Sequence, residues 1–255
     1  MPSRRTVVFL HGQPGTSVDS LRLRRALPPS LHLVAPDRPG YGANPRPATG
    51  FFGNASFVIQ LLDTIEVESA TLVGHSWGGG VALRVAQEHP ERVDALVLAA
   101  SVGPDCLNWF DRVLATPALG EVLTAPAFWI AAPIARPRLL RFLRVDTADP
   151  PERTLIERSL LGESRRATWR SFLVEQRALF TELPVVDEAL ERVRAPTTVV
   201  MGTRDHFVPA ATARALVDRI PNARLETIEG VGHVLQLRAP GALARVVADT
   251  VDRVT

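Results

Sequence analysis

Short apolar runs alternate along the chain with longer segments in which apolar residues recur every three or four positions. The short runs are five or six residues long and rich in Leu or β-branched residues. Most are nearly continuous, which is typical of parallel strands buried on both faces. We therefore predict six strands, at Thr6–Leu10, Leu31–Ala35, Ala70–Gly74, Ala95–Ala100, Thr197–Met201 and Arg224–Ile228.

The longer segments predict the helices that separate these strands. They lie at Val18–Leu27, Phe51–Ile65, Gly78–Glu88, Ala210–Arg219 and Pro240–Val251. Alternation of strands and helices indicates a parallel sheet with helices on both faces. The pattern therefore predicts a protein of the α/β class, with a mostly parallel sheet flanked by helices.

The alternation stops between residues 104 and 191, where eight Pro occur and no convincing strand is found. A Pro pair predicts the start of a helix over Pro150–Leu161, and a second helix follows from about Ser164. We interpret residues 104–191 as a helical insertion, or cap. The core domain then consists of residues 1–103 and 192–255.

The composition excludes some kinds of chemistry and partner. All 29 basic residues among the 255 are Arg, so the chain has no Lys for a Schiff base or a general base. The 27 acidic residues leave a net charge of only +2, so the pI of about 9.4 is no argument for a nucleic-acid partner. A single Cys excludes an internal disulfide framework and a Cys-rich metal site.

Two further patterns bear on where the protein works. The most apolar segments are far shorter than the roughly 20 residues that span a bilayer. The residues before His11 lack the apolar length and cleavage site of a signal peptide. We expect a cytoplasmic protein with no membrane partner, and the sequence leaves its oligomeric state open.

The strongest chemical signal is Gly74-His75-Ser76-Trp77-Gly78, which fits the pattern G-x-S-x-G. It lies directly after a predicted strand and directly before a predicted helix, the context of a nucleophile elbow. The start of such a helix points backbone N–H groups toward a developing oxyanion. An ordinary Gly-rich turn is the alternative, and the strand–helix context weighs against it.

A Ser hydroxyl needs a base, and the base needs an orienting acid. His233 follows the last predicted strand, and Asp205 follows the Thr197–Met201 strand, so both are expected at the same edge of the sheet as Ser76. Asp105 is a rival for the acid. We prefer Asp205 because the order Ser76, Asp205, His233 is the one expected for this architecture.

An oxyanion site needs two donors. The Trp77 backbone N–H is one candidate, at the start of the predicted helix after Ser76. The second candidate is the backbone N–H of Gln13, in the run His11–Gly15 that follows the first strand. A purely structural Gly-Pro turn is the alternative for that run.

These motifs together resemble the α/β-hydrolase superfamily. The resemblance lies in His11–Gly15, Asp37–Gly42, Gly74–Gly79, Gly202–Asp205 and Gly232–His233. Within the superfamily the chain is similar to capped serine hydrolases related to epoxide hydrolases, meta-cleavage-product hydrolases and proline iminopeptidases. The match covers nearly all of the core and is weak over the insertion, although a helical cap at that point suits the family.

The resemblance implies roles for five residues. Ser76 is the expected nucleophile, Asp205 the acid and His233 the base, while Gln13 and Trp77 are the expected oxyanion donors. Two features depart from the family pattern. Epoxide hydrolases and haloalkane dehalogenases carry Asp at the elbow, so Ser76 argues against both activities. Few residues precede the first strand, so we expect six strands rather than eight.

The insertion concentrates aromatic residues, and some of them are expected to cover the pocket above Ser76. Our candidates for substrate binding are Trp109, Phe128, Trp129 and Trp169. They favour a largely apolar acyl or aromatic substrate. We expect neither a cofactor nor a metal site, because His75 and His206 have no second ligand at metal spacing.

The leading prediction for function is a serine hydrolase that cleaves an ester of a small, largely apolar molecule through an acyl-enzyme. Hydrolysis of a carbon–carbon bond in a vinylogous diketone comes second. A peptidase similar to the proline iminopeptidases comes third, since it needs an acid such as Glu175 or Glu182 to hold an amine. A cofactor-free oxygenase or perhydrolase, and a binding protein with a dormant triad, are the remaining alternatives.

Overall fold

The computed structural model describes residues 5–131, 134–135, 137–138, 141, 150–161 and 165–254. Within these residues six strands form a single sheet in the order β2-β1-β3-β4-β5-β6. All five neighbouring pairs are parallel, which confirms the predicted class and the expected strand number. The strands are β1 Arg5–Leu10, β2 Leu31–Val34, β3 Ala70–His75, β4 Val93–Ala99, β5 Thr197–Gly202 and β6 Ala223–Ile228.

Alternation along the strands divides the core into two layers. Val8 and Leu10 of β1 lie in one buried cluster, and Val7 and Phe9 lie in the other, because successive side chains of a strand point to opposite faces. Both faces of the central strands are therefore covered. This is why their sequences are nearly continuous apolar runs rather than alternating ones.

Eleven α-helices are found in the described residues, with 3₁₀ turns at Ser17–Ser20, Pro90–Arg92 and Leu190–Arg192 and a π-helical turn at Ala127–Ala131. The first predicted helix is divided into a 3₁₀ turn and α1, whereas the other four predicted core helices agree within one residue. The helices are α1 Leu21–Ala26, α2 Phe51–Thr64, α3 Trp77–Glu88, α4 Trp109–Ala115, α5 Leu119–Pro126, α6 Pro150–Leu161, α7 Arg165–Thr181, α8 Leu183–Glu188, α9 Ala210–Arg219, α10 Leu235–Arg238 and α11 Pro240–Asp252.

In the part of the predicted insertion that the structure describes, helices are joined by short turns and no strand occurs. Helix α6 has the predicted bounds, and α7 begins at Arg165, while Ser164 itself lies outside the described residues. Helix α7 contacts α4, α5 and α8, and α8 contacts α3 of the core. Val186 of α8 and Leu179 of α7 both lie in the same buried cluster as Leu10. The assignment of residues 104–191 to a cap stays a prediction.

The topology places two loops side by side. The strand order reverses between β1 and β3, and in open parallel sheets ligands bind at such a switch point, beyond the carboxyl ends of the strands. The loop after β1 contains Gln13, and the turn after β3 contains Ser76. The fold therefore brings both predicted parts of the site to one crevice.

Across the part of the chain that is described, no single helix is long and apolar enough to cross a membrane. Among those same described residues, one bent pair has the length and composition of a span, namely Trp109–Ala115 with Leu119–Ala131, with a bend of 98° between them.

Candidate active site

Ser76 occupies a strained turn between β3 and α3. Its φ is +53°, in a region that residues with a side chain rarely adopt. Glycines make the turn sterically feasible: a Cβ on Gly74 would lie 2.5 Å from the carbonyl oxygen of Gly78. A Cβ on Gly78 would lie 2.6 Å from the carbonyl oxygen of His11. The G-x-S-x-G pattern thus corresponds to a close approach of α3 to both β3 and the end of β1.

The structure brings together the three residues that the sequence predicted as nucleophile, base and acid. His233 Nε2 lies 3.0 Å from Ser76 Oγ, and His233 Nδ1 lies 2.9 Å from Asp205 Oδ2. Asp205 is fully buried, and His233 keeps 14% of its side chain exposed. A carboxylate that accepts the Nδ1 proton leaves Nε2 facing the hydroxyl as an acceptor.

Asp205 is held in its charged form by its hydrogen bonds. Burial opposes ionisation, but the hydrogen bond to His233 and those from the backbone N–H groups of Phe207 and Val208 outweigh it and lower the pKa of Asp205. Both amides donate to Oδ1, at 2.8 and 3.1 Å, so Oδ2 remains for His233. The loop after β5 therefore orients the carboxylate.

His75 holds the backbone of His233 through a hydrogen bond. Its Nε2 donates to the carbonyl oxygen of His233 at 3.0 Å, and Gln236 Nε2 donates to its Nδ1 at 3.4 Å. Burial lowers the pKa of His75 to about 3, so the ring is neutral near pH 7. Both ring nitrogens are used within the protein. In the described residues no group of three or more His, Cys, Asp or Glu is arranged to hold a metal ion.

Asp105, the rival for the acid, and the free Cys106 have other surroundings. Asp105 adopts a φ of +60° and acts electrostatically on Asp187, while the carboxylate that accepts the hydrogen bond from His233 Nδ1 is that of Asp205. Cys106 is buried, and burial raises the pKa of its thiol to about 12, which disfavours a thiolate. The geometry therefore favours Asp205 over Asp105 as the acid.

The two predicted oxyanion donors lie next to Ser76. Gly12 approaches so closely that a Cβ there would lie 3.1 Å from Ser76 Cβ, and Gln13 is the next residue along the chain. The Trp77 amide is the first of helix α3, where backbone N–H groups lack intrahelical acceptors. Within the described residues, neither amide donates to a protein acceptor. Both are therefore available to a ligand.

The four aromatic candidates of the insertion differ in their surroundings. Trp109 is 76% exposed and packs edge-on against Phe110, and Trp129 is also exposed. Trp169 is half-buried with the Arg170 guanidinium 4.8 Å from its ring centre. Phe128 is half-buried, and its contacts lead toward the site.

Phe128 is linked through helix α7 to the loop His11–Gly15, called here the oxyanion loop. Its ring centre lies 5.7 Å from that of Phe172, and the carbonyl oxygen of Phe172 accepts a hydrogen bond of 2.6 Å from the Gln13 side chain. Among the four candidates, these contacts make Phe128 the best supported as a substrate-binding residue. Its role in binding remains a prediction.

Phe207 was not predicted as a residue near the site, and the pairing of Arg38 with Glu175 was not predicted either. Phe207 is 71% exposed although its ring centre lies 5.2 Å from that of His233. An aromatic residue two positions after the predicted acid is a signal that could have indicated it. Arg38 and Glu175 form a fully buried ion pair next to Trp77. Their pairing has no local sequence signal, because 137 positions separate them.

Comparisons with known proteins agree with the fold. A family model described as alpha/beta hydrolase fold matches residues 5–240. The chain is 31% identical over 227 residues to a 2-hydroxymuconate semialdehyde hydrolase of Pseudomonas putida, covering 84% of this chain and 75% of that one. It is 30% identical to a poly(3-hydroxyalkanoate) depolymerase of Ectopseudomonas oleovorans, covering 87% and 75%.

A solved esterase from Exiguobacterium antarcticum has a similar fold. It superposes with a TM-score of 0.75 at 22% identity, covering 99% of this chain and 93% of that chain. At this level of identity the likeness concerns the fold.

Proposed function

The chain belongs to the α/β-hydrolase fold family and is a hydrolase, and from this premise we propose that it cleaves carboxylic esters through Ser76, His233 and Asp205. One observation carries the proposal: a continuous hydrogen-bonded chain runs from the Ser76 hydroxyl through both nitrogens of His233 to a buried carboxylate. The proposed substrate is a small, largely apolar ester, and the proposal requires no cofactor.

Acylation begins when Ser76 Oγ attacks the ester carbonyl carbon while His233 Nε2 takes the hydroxyl proton. The carbonyl π electrons move to oxygen, and the resulting oxyanion accepts hydrogen bonds from the Gln13 and Trp77 amides. When the tetrahedral intermediate collapses, the C–O bond to the alcohol breaks. His233 then gives its proton to the departing alkoxide, and an acyl group remains on Ser76.

Deacylation repeats these steps with water. His233 Nε2 takes a proton from water as its oxygen attacks the acyl carbon, and the oxyanion forms again at the same two amides. Collapse breaks the bond to Ser76 Oγ, which recovers its proton from His233. Asp205 remains charged throughout and stabilises the imidazolium that forms in each half-reaction.

Aromatic side chains at the site favour an apolar substrate. Phe207 exposes most of its ring beside His233, and Phe128 packs against Phe172 next to the oxyanion loop. Burial of apolar substrate surface against such rings contributes about 25 cal/mol per Å². We therefore propose that acyl or alcohol groups with apolar chains are preferred over charged ones.

Replacement of the nucleophile tests the proposal. In Ser76→Ala we expect kcat/KM for p-nitrophenyl esters to fall by about a thousandfold or more, together with loss of labelling by a fluorophosphonate. Ser56→Ala, which alters an exposed serine of α2, serves as the matched control and is expected to behave as wild type. Full ester turnover by Ser76→Ala would contradict the proposal.

Hydrolysis of a carbon–carbon bond is the second candidate, and one observation favours it. The 31% identical relative is named a 2-hydroxymuconate semialdehyde hydrolase. The test is to compare kcat/KM for 2-hydroxymuconate semialdehyde, followed by loss of its dienol absorbance, with that for the p-nitrophenyl esters. A preference for the dienol would replace the ester as the proposed substrate while leaving the site residues unchanged.

Two carboxylates that a peptidase could use to hold an amine are engaged elsewhere. Glu175 is buried and paired with Arg38, and Glu182 accepts a hydrogen bond from the backbone N–H of Phe52. Neither therefore supports amine binding. Fluorophosphonate labelling also separates the hydrolase from an oxygenase, a perhydrolase or a binding protein with a dormant triad, since an activated Ser76 is expected only in the hydrolase.

A further inference from the structure

Arg38 lies fully buried behind the loop that supplies one oxyanion donor. Its Nε donates to the carbonyl oxygen of His11 at 2.9 Å, and its Nη2 donates to the carbonyl oxygen of Gly12 at 3.0 Å. The Arg38 backbone N–H donates to His11 Nε2 at 3.0 Å, which leaves His11 Nδ1 to donate to the Gly12 carbonyl oxygen at 2.9 Å. Arg38 therefore holds the carbonyl groups of His11 and Gly12 and also the His11 ring.

Fixing the Gly12 carbonyl group also fixes the Gln13 amide. The two groups belong to one planar trans peptide unit, in which C=O and N–H point in opposite directions. Because Arg38 and His11 hold the carbonyl oxygen on the buried side, the Gln13 N–H is directed to the opposite side, toward the crevice. The orientation of the donor is thus set by a side chain that does not itself face the substrate.

The same ion pair contacts the residue that supplies the other donor. The Arg38 guanidinium carbon lies 4.5 Å from the centre of the Trp77 ring, and Phe51 stacks on that ring at 4.1 Å between ring centres. Trp77 Nε1 donates to the backbone carbonyl oxygen of Glu175 at 3.3 Å. The position of Trp77 therefore depends on Arg38 and on helix α7 together.

Glu175 neutralises and orients Arg38. Its Oε1 pairs with Arg38 Nη1, its Oε2 lies 3.3 Å from Nη2, and the Tyr41 hydroxyl donates to Oε2 at 2.7 Å. Asn54 Oδ1 accepts from Nη1 at 3.3 Å. Burial raises the pKa of the Glu175 carboxyl, and the Arg38 guanidinium opposes this rise. Every nitrogen of the guanidinium is thereby engaged in one geometry.

We propose that Arg38 and Glu175 are positioning residues for ester hydrolysis, which hold the Gln13 and Trp77 amides in the orientation that binds the oxyanion. The proposal rests on the proposed function. It also gives the insertion a chemical task, since Glu175 and the Phe172 carbonyl group that accepts from Gln13 both belong to α7.

The test compares binding of a tetrahedral adduct with binding of the substrate. Arg38→Lys keeps the charge but loses the planar fork that reaches two carbonyl groups, and Glu175→Gln keeps the shape but loses the charge. For both we expect kcat to fall about 10- to 100-fold with KM changed less than about threefold. The inhibition constant of a trifluoromethyl ketone should rise in parallel with the loss of kcat/KM.

Matched variants separate positioning from general stability. Glu152→Gln removes the charge of another buried carboxylate, which pairs with Arg22 and Arg25. It is expected to change the melting temperature without changing the trifluoromethyl ketone inhibition constant relative to KM. Tyr41→Phe removes one hydrogen bond from Glu175 and is the milder variant if Arg38→Lys fails to fold. We expect it to lower kcat about two- to fivefold.

The outcomes are distinguishable from those of the proposed function. Full ester hydrolysis by Ser76→Ala would contradict the proposed function itself. The positioning role alone would be overturned if Ser76→Ala is inactive but folded Arg38→Lys keeps wild-type kcat and inhibitor affinity. If Arg38→Lys does not fold, the same result in Tyr41→Phe would overturn it. The pH profile of kcat/KM is expected to keep its shape in the positioning variants, because His233 and Asp205 are untouched.

Discussion

At the scale of single residues, backbone strain in the site is found at Ser76. A non-glycine residue at a φ of +53° stores strain on the order of 1 to 3 kcal/mol, which the surrounding packing must hold. The glycines on either side permit the turn for a different reason, which is contact rather than φ. Gly78 lies against the carbonyl groups of Leu10 and His11 at the end of β1. A missing side chain thus sets the distance between the elbow and the oxyanion loop.

Replacement of Gly78 by Ala is therefore expected to separate these elements. The added methyl group would overlap backbone oxygens, which cannot move independently, so we predict a loss of about 1 to 3 kcal/mol in the free energy of unfolding and a fall in kcat of at least about tenfold. Urea unfolding and ester hydrolysis measure the two effects.

Gly241→Ala is the matched control, because a Cβ at that position in α11 would meet no atom within 4 Å outside its own helical turn. It is expected to leave stability unchanged or to raise it by up to about 1 kcal/mol. Wild-type activity and stability in Gly78→Ala would show that the contact is dispensable.

At the scale of elements, helix α7 joins the insertion to the core near its middle and at its carboxyl end. Near its middle Glu175 pairs with Arg38, and just beyond its end Glu182 accepts a hydrogen bond of 3.0 Å from the backbone N–H of Phe52. Phe52 lies in the first turn of α2, whose N-cap is Gly50 and has no side chain to satisfy the free amides. A carboxylate from elsewhere in the chain thus caps α2.

Loss of this cap should cost stability and leave the chemistry intact. For Glu182→Ala we predict a decrease of about 1 kcal/mol in the free energy of unfolding, because orphan amides and the helix dipole lose their partner. Glu182→Gln, which keeps an accepting oxygen, is the control and should lose less.

Values of kcat and KM for esters are expected to stay within about twofold of wild type in both Glu182 variants. A selective rise in KM for esters that carry a free amine would instead assign Glu182 to substrate binding, as a peptidase requires.

At the scale of the whole molecule, ionisable groups enclosed by packing link stability to pH. Burial raises the pKa of Asp187 in α8 to about 7, the charge of Asp105 adds to the rise, and Arg219 opposes it. Its Oδ1 is buried and has no hydrogen-bond partner among the described residues. The folded state therefore binds a proton at Asp187 between about pH 4 and pH 7, where the unfolded state has released it. Stability from this group falls as the pH rises through that window.

Asp187→Asn removes this dependence. We predict that the variant is more stable than wild type at pH 8 by about 1 to 2 kcal/mol, a value reduced for partial solvent screening, and that the difference disappears near pH 4. Urea unfolding over that pH range measures the difference. Asp218→Asn, at an exposed position of α9, is the control. A difference that does not change with pH would contradict the assignment.

The sheet, the elbow and the order of the site residues along the chain could all be predicted from the sequence. These depend on local rules, because apolar runs become buried strands and glycines permit a tight turn after β3. In a parallel sheet the loops that follow the strands meet at one edge. A Ser, an Asp and a His placed after β3, β5 and β6 were therefore expected to lie together, and their hydrogen bonds join them.

The contribution of the insertion depends on long-range contacts that could not be predicted from the sequence. The pairing of Arg38 with Glu175 spans 137 positions, and the cap of α2 by Glu182 spans 130, so neither leaves a periodic signal in the chain. The exposure of Phe207 and the enclosure of Asp187 likewise depend on which surfaces meet. Local pattern fixes which groups a chain can offer, whereas long-range packing fixes which of them are charged, oriented or within reach of a substrate.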